Sequence, residues 1–203
     1  MTISRLILFF ALLLLFCKND RQAGFIDITR LDSTFVIDVR YATENNFTGE
    51  AVYPLAKVAL RQTPAESLVA VQRELKSMGL GLKVFDGYRP LSVQKRFWEI
   101  LPDSRYVADP KIGSRHNRGA AVDVTLVDST GKELELPTEF DDFSERAHSN
   151  AEDCSAIART NRELLKRVME NHGFKQLKTE WWHFDFTGWE SFEIVDIPLD
   201  KIR

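Results

Sequence analysis

Cysteine is nearly absent, with only Cys17 and Cys154 in 203 residues. Cys17 ends an apolar N-terminal run, so the folded part of the chain is left with one thiol and no intramolecular disulfide is expected. Cys154 then reads as a small buried apolar residue. Basic blocks are missing too. The 27 Lys and Arg are set against 30 Asp and Glu, for a net charge of −3, which argues against a nucleic-acid surface and favours small molecules or peptides as partners. No internal repeat and no low-complexity stretch follows. Histidine is scarce, at four residues, so any imidazole cluster must draw on a short set of candidates.

What is present divides the chain unevenly. Arg5 precedes Leu6-Ile-Leu-Phe-Phe-Ala-Leu-Leu-Leu-Leu-Phe16, too short for a comfortable membrane span and placed where a signal sequence belongs. Leu14-Leu-Phe-Cys17 resembles a lipobox, with Phe16 in place of the usual small residue before the cysteine. Lipidation at Cys17 is the leading expectation, ahead of an ordinary cleaved signal and an uncleaved anchor. The mature chain is therefore expected to be exported, in the periplasm or cell envelope, touching a membrane only through that anchor. Residues 18–34 read as a tether, and 35–203 as one globular domain, which the 44% hydrophobic and 28% charged composition suits.

Within the domain, Phe35-Val-Ile-Asp-Val39 reads as a strand, and residues 40–49, rich in turn formers and aromatics, as a surface loop. Thr63-Pro-Ala-Glu66 has the form of a capping box, opening a helix with Leu68, Val71, Leu75 and Met78 inward. Leu82-Lys-Val-Phe85 predicts a short strand delivering Asp86-Gly-Tyr-Arg-Pro90, and Pro90 begins a second helix with Val93, Phe97 and Leu101 on its core side. Asp128-Ser-Thr-Gly131 predicts a hairpin turn and Lys132 to Leu136 the returning strand. A last long helix is expected from about Ser155 to Asn171, with Ile157, Leu164, Val168 and Met169 inward, and the C-terminal tail is expected only to cover a sheet edge. Short connections and hairpins predict an α+β fold with a mixed or antiparallel central sheet, helices packed on it and a metal site at the sheet's cleft.

The chemistry concentrates in Ser114-Arg-His-Asn-Arg-Gly-Ala-Ala-Val-Asp123 and Glu180-Trp-Trp-His183. From Gly119 onward Val122, Val124 and Leu126 alternate with Ala121, Asp123 and Thr125, the pattern of a half-buried strand. His116 lies in the loop feeding it. Near the C-terminus Trp182, Phe184 and Phe186 alternate with Trp181, His183 and Asp185, again as a strand. His116, Asp123 and His183 thus make a three-ligand site, and three protein ligands with a fourth position open are the arrangement of a catalytic zinc. Glu180 and His183 have opposite parity on a strand, so Glu180 serves the same cleft only if it precedes the pleat. There it would act as general base beside a hydrolytic metal. Arg89 stands at a strand-to-helix junction, either as a structural ion-pair partner or as a cation facing the cleft. Of the tryptophans, Trp182 is assigned to the core and Trp181 is allowed to line the cleft. His148 and His172 lack a ligand context.

These two stretches resemble the zinc peptidases that act on D-amino-acid bonds of the bacterial cell wall. Tyr41 to Gly49, Asp86 to Pro90, Ser114 to Leu126, Phe140 to His148 and Glu180 to His183, in that order, resemble more narrowly the D-alanyl-D-alanine dipeptidases, over nearly the whole chain from Phe35 to Phe192. The resemblance implies one zinc ion on His116, Asp123 and His183, Glu180 as catalytic acid/base, and Arg89 as the group stabilising the oxyanion. It also implies substrate-binding roles for Asp141, Ser114 and Tyr41. Asp141 would hold the free ammonium, although Asp142 is one residue away, and Ser114 would orient the loop or the substrate. The expected reaction is hydrolysis of D-Ala-D-Ala to two D-alanines, in cell-wall peptide turnover or scavenging. The alternatives are a D,D- or L,D-carboxypeptidase acting on peptidoglycan stems and a non-catalytic envelope binding protein.

Overall fold

The order in which the strands pair places the chemistry on one sheet. The structure, a computed structural model, describes residues 24–202. In chain order the strands are β1 (Phe25–Asp27), β2 (Val36–Ile37), β3 (Ala59–Arg61), β4 (Leu80–Asp86), β5 (Ala121–Asp128), β6 (Phe174–Gln176) and β7 (His183–Phe186), with helices α1 (Gln62–Ser77), α2 (Leu91–Ile100) and α3 (Ala156–Asn171). Five strands form a mixed sheet in the order β2-β4-β5-β7-β6. β2 runs parallel to β4, and the remaining pairs are antiparallel. β1 and β3 form a separate antiparallel ribbon. The fold is a single α+β domain.

Alternation along β4 and β5 decides which face does what. Leu82 pairs with Leu126 and Val84 with Val124, and these fully buried side chains join Leu68 and Leu75 of α1 and Leu165 and Val168 of α3 in one apolar core. A register shift between Val84 and Asp86 then aligns Asp86 with Asp123, while Asp123 aligns with His183 across β5 and β7. The opposite face of three adjacent strands therefore carries the row Asp86, Asp123, His183.

Several boundaries differ from the sequence expectation. The tether assigned to residues 18–34 is at least ten residues too long, because Phe25 to Asp27 pair with β3 and Ile28 is fully buried. Helix α1 starts without the expected capping box. Arg61 occupies the cap position with no side-chain cap, and Glu66 instead accepts from Gln62 Nε2 at 2.8 Å, because Arg61 is still held in β3 and its amide donates to Gly119 O at 2.9 Å. Met78 lies beyond the helix and is exposed. Helix α3 begins where expected, with Ser155 Oγ accepting from Ala158 N at 3.0 Å as its cap, but Ile157 is 62% exposed, and Ala158, Arg162 and Leu165 take the inner stripe.

The hairpin turn at Asp128 to Gly131 forms, yet the returning strand is reduced to a single bridge between Val127 and Glu133. The chain peels away there because Glu135 O accepts from Asn161 Nδ2 of α3 and Pro137 has no amide to donate. Cys154 is half-buried rather than buried. The tail does more than cover an edge: Asp196 Oδ1 accepts from Ser92 N and Oγ at the start of α2, and Leu199 and Ile202 are buried. The apolar N-terminal run and Cys17 lie outside the described residues.

One glycine controls the approach of the ribbon to the sheet. Gly119 ends the turn after His116 with φ +67°, and an added Cβ would sit 2.3 Å from Phe25 Cε1 and 3.2 Å from Arg61 N. The Phe25 ring is not free to retreat, since it packs on Tyr88 at 4.2 Å and under the Arg61 guanidinium at 4.4 Å. Gly119→Ala is expected to cost about 1–3 kcal/mol from overpacking and left-handed backbone strain. Chemical denaturation measures this, and coincident unfolding midpoints for variant and parent would refute it.

Candidate active site

Two loops at the ends of β4 and before β5 are zipped together, and this fixes His116. Arg89 N donates to His116 O at 3.1 Å, Asn117 Nδ2 to Arg89 O at 2.9 Å, and the His116 ring meets Gly87 O through Nδ1 at 2.7 Å. Gly87 permits that approach, because a Cβ there would lie 2.8 Å from Val58 Cγ1 and 2.9 Å from Ala59 O. Ser114 Oγ accepts from His116 N at 3.2 Å, and Ser114 N donates to Asn117 Oδ1. Ser114 thus braces the turn that carries His116. With Nδ1–H donated to a carbonyl, the lone pair of His116 is on Nε2, which points across to β5 and β7.

There it meets two other groups. His116 Nε2 is 3.1 Å from His183 Nδ1 and 3.4 Å from Asp123 Oδ1, and His183 Nδ1 is 3.0 Å from that same oxygen. All three residues are buried, and their three donor atoms lie within 4.8 Å of one another. Nitrogen lone pairs at such separation repel unless a cation lies between them, so the donor set fits a metal ion. Burial alone would raise the Asp123 carboxyl, but His116 and His183 hold it well below the usual range. Burial likewise opposes the charge on His183, yet Asp123 and Asp185 push its pKa up to about 10.

Glu180 precedes β7 in a tight turn, with His183 N donating back to Glu180 O at 3.4 Å. Its Oε2 is 3.9 Å from His183 Nδ1. Because the turn comes before the pleat, the opposite-parity rule does not apply, and both side chains line one cleft. Burial raises the Glu180 carboxyl above its ordinary value, as suits a group that must take up and release a proton.

Arg89 lines the same cleft at 9% exposure and is clamped on two sides. Its Nε and one terminal nitrogen donate to Asp86 Oδ2 at 3.2 and 2.8 Å, and the other terminal nitrogen to Gln94 Oε1 at 2.9 Å. Asp86 in turn accepts from Tyr53 Oη at 2.8 Å, and Gln94 donates to Ala108 O. Burial opposes the charge on the guanidinium, but Asp86 keeps its pKa well above the ordinary arginine value, so it remains a fixed cation. Asp86, Gln94 and Asn117 were not singled out in the sequence. Asp86 and Asn117 had a signal, their places in the same segments as Arg89 and His116; Gln94 had none.

The far end of the cleft is acidic and aromatic. Asp141 is the one non-glycine residue among those described with positive φ, at 63°. Its Oδ1 accepts from Tyr41 Oη at 3.0 Å, while Oδ2 is buried with no hydrogen-bond partner. Asp142 faces its own loop, accepting from Ser144 N at 2.7 Å, and does not line the cleft. Phe47, Tyr106 and Phe143 pack on one another, at 5.5 Å for Phe47–Phe143 and 4.8 Å for Tyr106–Phe143, bridging three loops beside Asp141. Trp182 is buried in the core, as expected, and also reaches the wall of this cleft; Trp181 does not line the cleft but turns to the far side, its indole donating to Thr138 Oγ1 at 2.9 Å. The cleft holds about 420 Å³, within the range of small-ligand sites. His172 is remote, bonded to Glu74 at 2.7 Å between α3 and α1.

Two imidazoles and a carboxylate converging beside a raised glutamate and a buried arginine define a metallopeptidase site. A family model described as D-ala-D-ala dipeptidase matches residues 21–195. The D-alanyl-D-alanine dipeptidase of Escherichia coli K12 is 34% identical over 170 residues, covering 84% of this chain and 88% of the relative. That of Enterococcus faecium is 33% identical over 168 residues, 72% of this chain and 83% of the relative. Among solved structures, the vancomycin-resistance D,D-dipeptidase VanXYg, in complex with a D-Ala-D-Ala phosphinate analogue, aligns with a TM-score of 0.43 at 20% identity, over 66% of this chain and 61% of that one. The chain belongs to the D-Ala-D-Ala dipeptidase family of peptidases.

Burial pushes the Asp141 carboxyl up to about 8, with the Tyr41 hydrogen bond only partly offsetting it. An unfolded aspartate titrates near 3.9, so the folded state binds the proton more tightly. Its contribution to stability is complete below about pH 4 and is lost as pH rises toward 8. Asp141→Asn keeps the acceptor for Tyr41 and abolishes this titration. In substrate-free protein the variant should gain on the parent in melting temperature between pH 5 and pH 8. A difference that stays constant across that range would contradict the assignment.

Proposed function

We propose that this chain hydrolyses the dipeptide D-Ala-D-Ala to two D-alanines, with one zinc ion held by His116, Asp123 and His183. The observation that carries the substrate is Asp141 Oδ2, a buried carboxylate oxygen without a partner on the wall of the metal cleft. A buried polar atom left unpaired is costly; a substrate ammonium beside it supplies a partner and, as an adjacent cation, draws the raised Asp141 carboxyl back to its ionised form. Tyr41 holds the other oxygen and so aims the carboxylate. Two nitrogen donors and one oxygen donor suit zinc.

His116, Asp123 and His183 would hold the ion, which when bound would supply Lewis acidity toward a carbonyl oxygen and toward water. Glu180 takes the proton of the attacking water and returns it to the departing amine, a transfer its raised pKa favours in both directions. Arg89, held in plane by Asp86 and Gln94, faces the oxyanion as it develops, and because it is already oriented it needs no reorganisation at that moment. Ser114 acts by bracing the His116 turn. The setting we propose is cell-wall peptide turnover or scavenging.

The aromatic bridge of Phe47, Tyr106 and Phe143 beside Asp141 supports a dipeptide over a longer stem. D-alanine release from D-Ala-D-Ala and from its N-acetylated form, measured side by side with a chelator control, tests the assignment. Chelator-sensitive release from the free dipeptide alone is expected, whereas equal release from the acylated form would make the protein a carboxypeptidase. Glu180→Ala should retain zinc and lose about 10²–10⁴-fold in kcat, and His116→Ala should lose the metal itself. Turnover near that of the parent in Glu180→Ala, or full zinc occupancy in His116→Ala, would remove those roles.

Export rests on the N-terminal sequence alone. With Cys17 as the lipidated residue, Cys17→Ser should move the mature protein out of the membrane fraction. Recovery of the parent protein in the cytosol would overturn both export and anchoring.

A further inference from the structure

We propose that Asp185, backed by Arg115, is the positioning residue that fixes His183 as a metal ligand through its Nδ1. His183 and Asp185 share a parity on β7, and Asp185 Oδ1 lies 2.9 Å from His183 Nε2. Nε2 therefore carries the proton, and the lone pair left on Nδ1 is the one aimed at Asp123 and His116. The carboxylate is itself held. Its backbone sits between two partners, opposite Ala121 of β5 and Lys175 of β6, and its Oδ2 lies 3.5 Å from Arg115 Nε. That Nε is buried and has no hydrogen-bond partner of its own, so Asp185 is the anion it faces. The Arg115 guanidinium is stacked on the Trp189 ring at 4.8 Å, which limits where it can swing.

The two histidine ligands are thereby oriented in different ways. His116 is set by a neutral backbone carbonyl, Gly87 O, and His183 by an ionised side chain with a cation behind it. A carboxylate acceptor makes the imidazole a stronger donor to a metal, and removing such a partner commonly weakens metal affinity 10–100-fold. The inference rests on the metal site and is independent of the substrate.

The test is the zinc dissociation constant of the purified full domain, obtained by competition with a chromogenic chelator at fixed pH. Asp185→Ala should bind zinc 10–100-fold more weakly than the parent, and Asp185→Asn, which keeps an acceptor without the charge, should fall between them. A purely structural role would lower the melting temperature of the metal-free protein and leave the affinity of the folded fraction unchanged. A parent that binds zinc while Asp185→Ala matches it within threefold overturns this role alone, whereas a parent that binds no zinc overturns the metal site with it. Nitrogen-15 correlation spectra of the zinc-loaded parent give a second reading that needs no variant: the His183 proton is expected on Nε2, and a proton on Nδ1 overturns the proposal.

Discussion

Three donor atoms converging on one spot, from His116, Asp123 and His183, are a costly arrangement for this domain to hold in place, because all three are buried away from water. Without a cation they gain little from one another beyond shared protons, and burying them removes hydration. The surrounding structure must therefore hold them in place, and much of the domain is arranged to do so. The apolar face of β4 and β5 packs on α1 and α3 and fixes the sheet. The register shift before Asp86 and the pairing of Asp123 with His183 then determine which polar groups share the other face. A slip of one residue in β7 would turn His183 into the core and bring Phe184 to the cleft.

The same logic extends outward through hydrogen bonds. His116 belongs to no strand, and its position depends on carbonyl and amide contacts with Gly87, Arg89 and Asn117. Those contacts also anchor Arg89, so the metal ligand and the buried cation cannot move independently. The loop that begins at the end of β4 is in turn pressed against β3 at Gly87, and β3 is held by the ribbon with β1. An N-terminal segment distant in sequence from the chemistry thus determines how closely two of its groups approach.

Strand alternation made much of the centre legible. Asp123 and His183 fall on one parity of their strands, and Asp185 follows His183 on that parity, so its closeness was available to a reader of the pattern. Partners chosen in three dimensions were not available. Gln94 meets Arg89 because α2 leaves the Pro90 turn at one particular angle, and nothing in the spacing of residues 89 and 94 states it. Ile157 and Ala158 were indistinguishable by periodicity; α3 turns the smaller residue inward, together with Arg162, whose guanidinium donates to Ala151 O at 2.7 Å. Phe25 looked like part of a tether because a three-residue strand carries too short a pattern to register. The tail looked peripheral because Asp196 Oδ1 reaches Ser92, 104 positions away in sequence.

If Asp141 holds the substrate ammonium, as proposed, selectivity for a free dipeptide at that end needs two sources, because one is too weak. A charge-assisted hydrogen bond from an ammonium contributes about 1.5–3 kcal/mol, or about a ten- to 150-fold preference over an uncharged amide. A steric limit would act differently: Phe143 packs on both Phe47 and Tyr106, all three line the cleft with Asp141, and residues extending past a bound ammonium toward them would have to displace these rings. The two also reinforce each other. The rings line the same cleft as Asp141; burial raises the Asp141 pKa and Oδ2 has no hydrogen-bond partner, and that dryness strengthens the interaction with a cation that fits. Opening the rings would therefore weaken recognition of the ammonium while admitting longer chains. Selectivity for a free dipeptide is on this account a property of the packed loops as much as of the carboxylate they enclose.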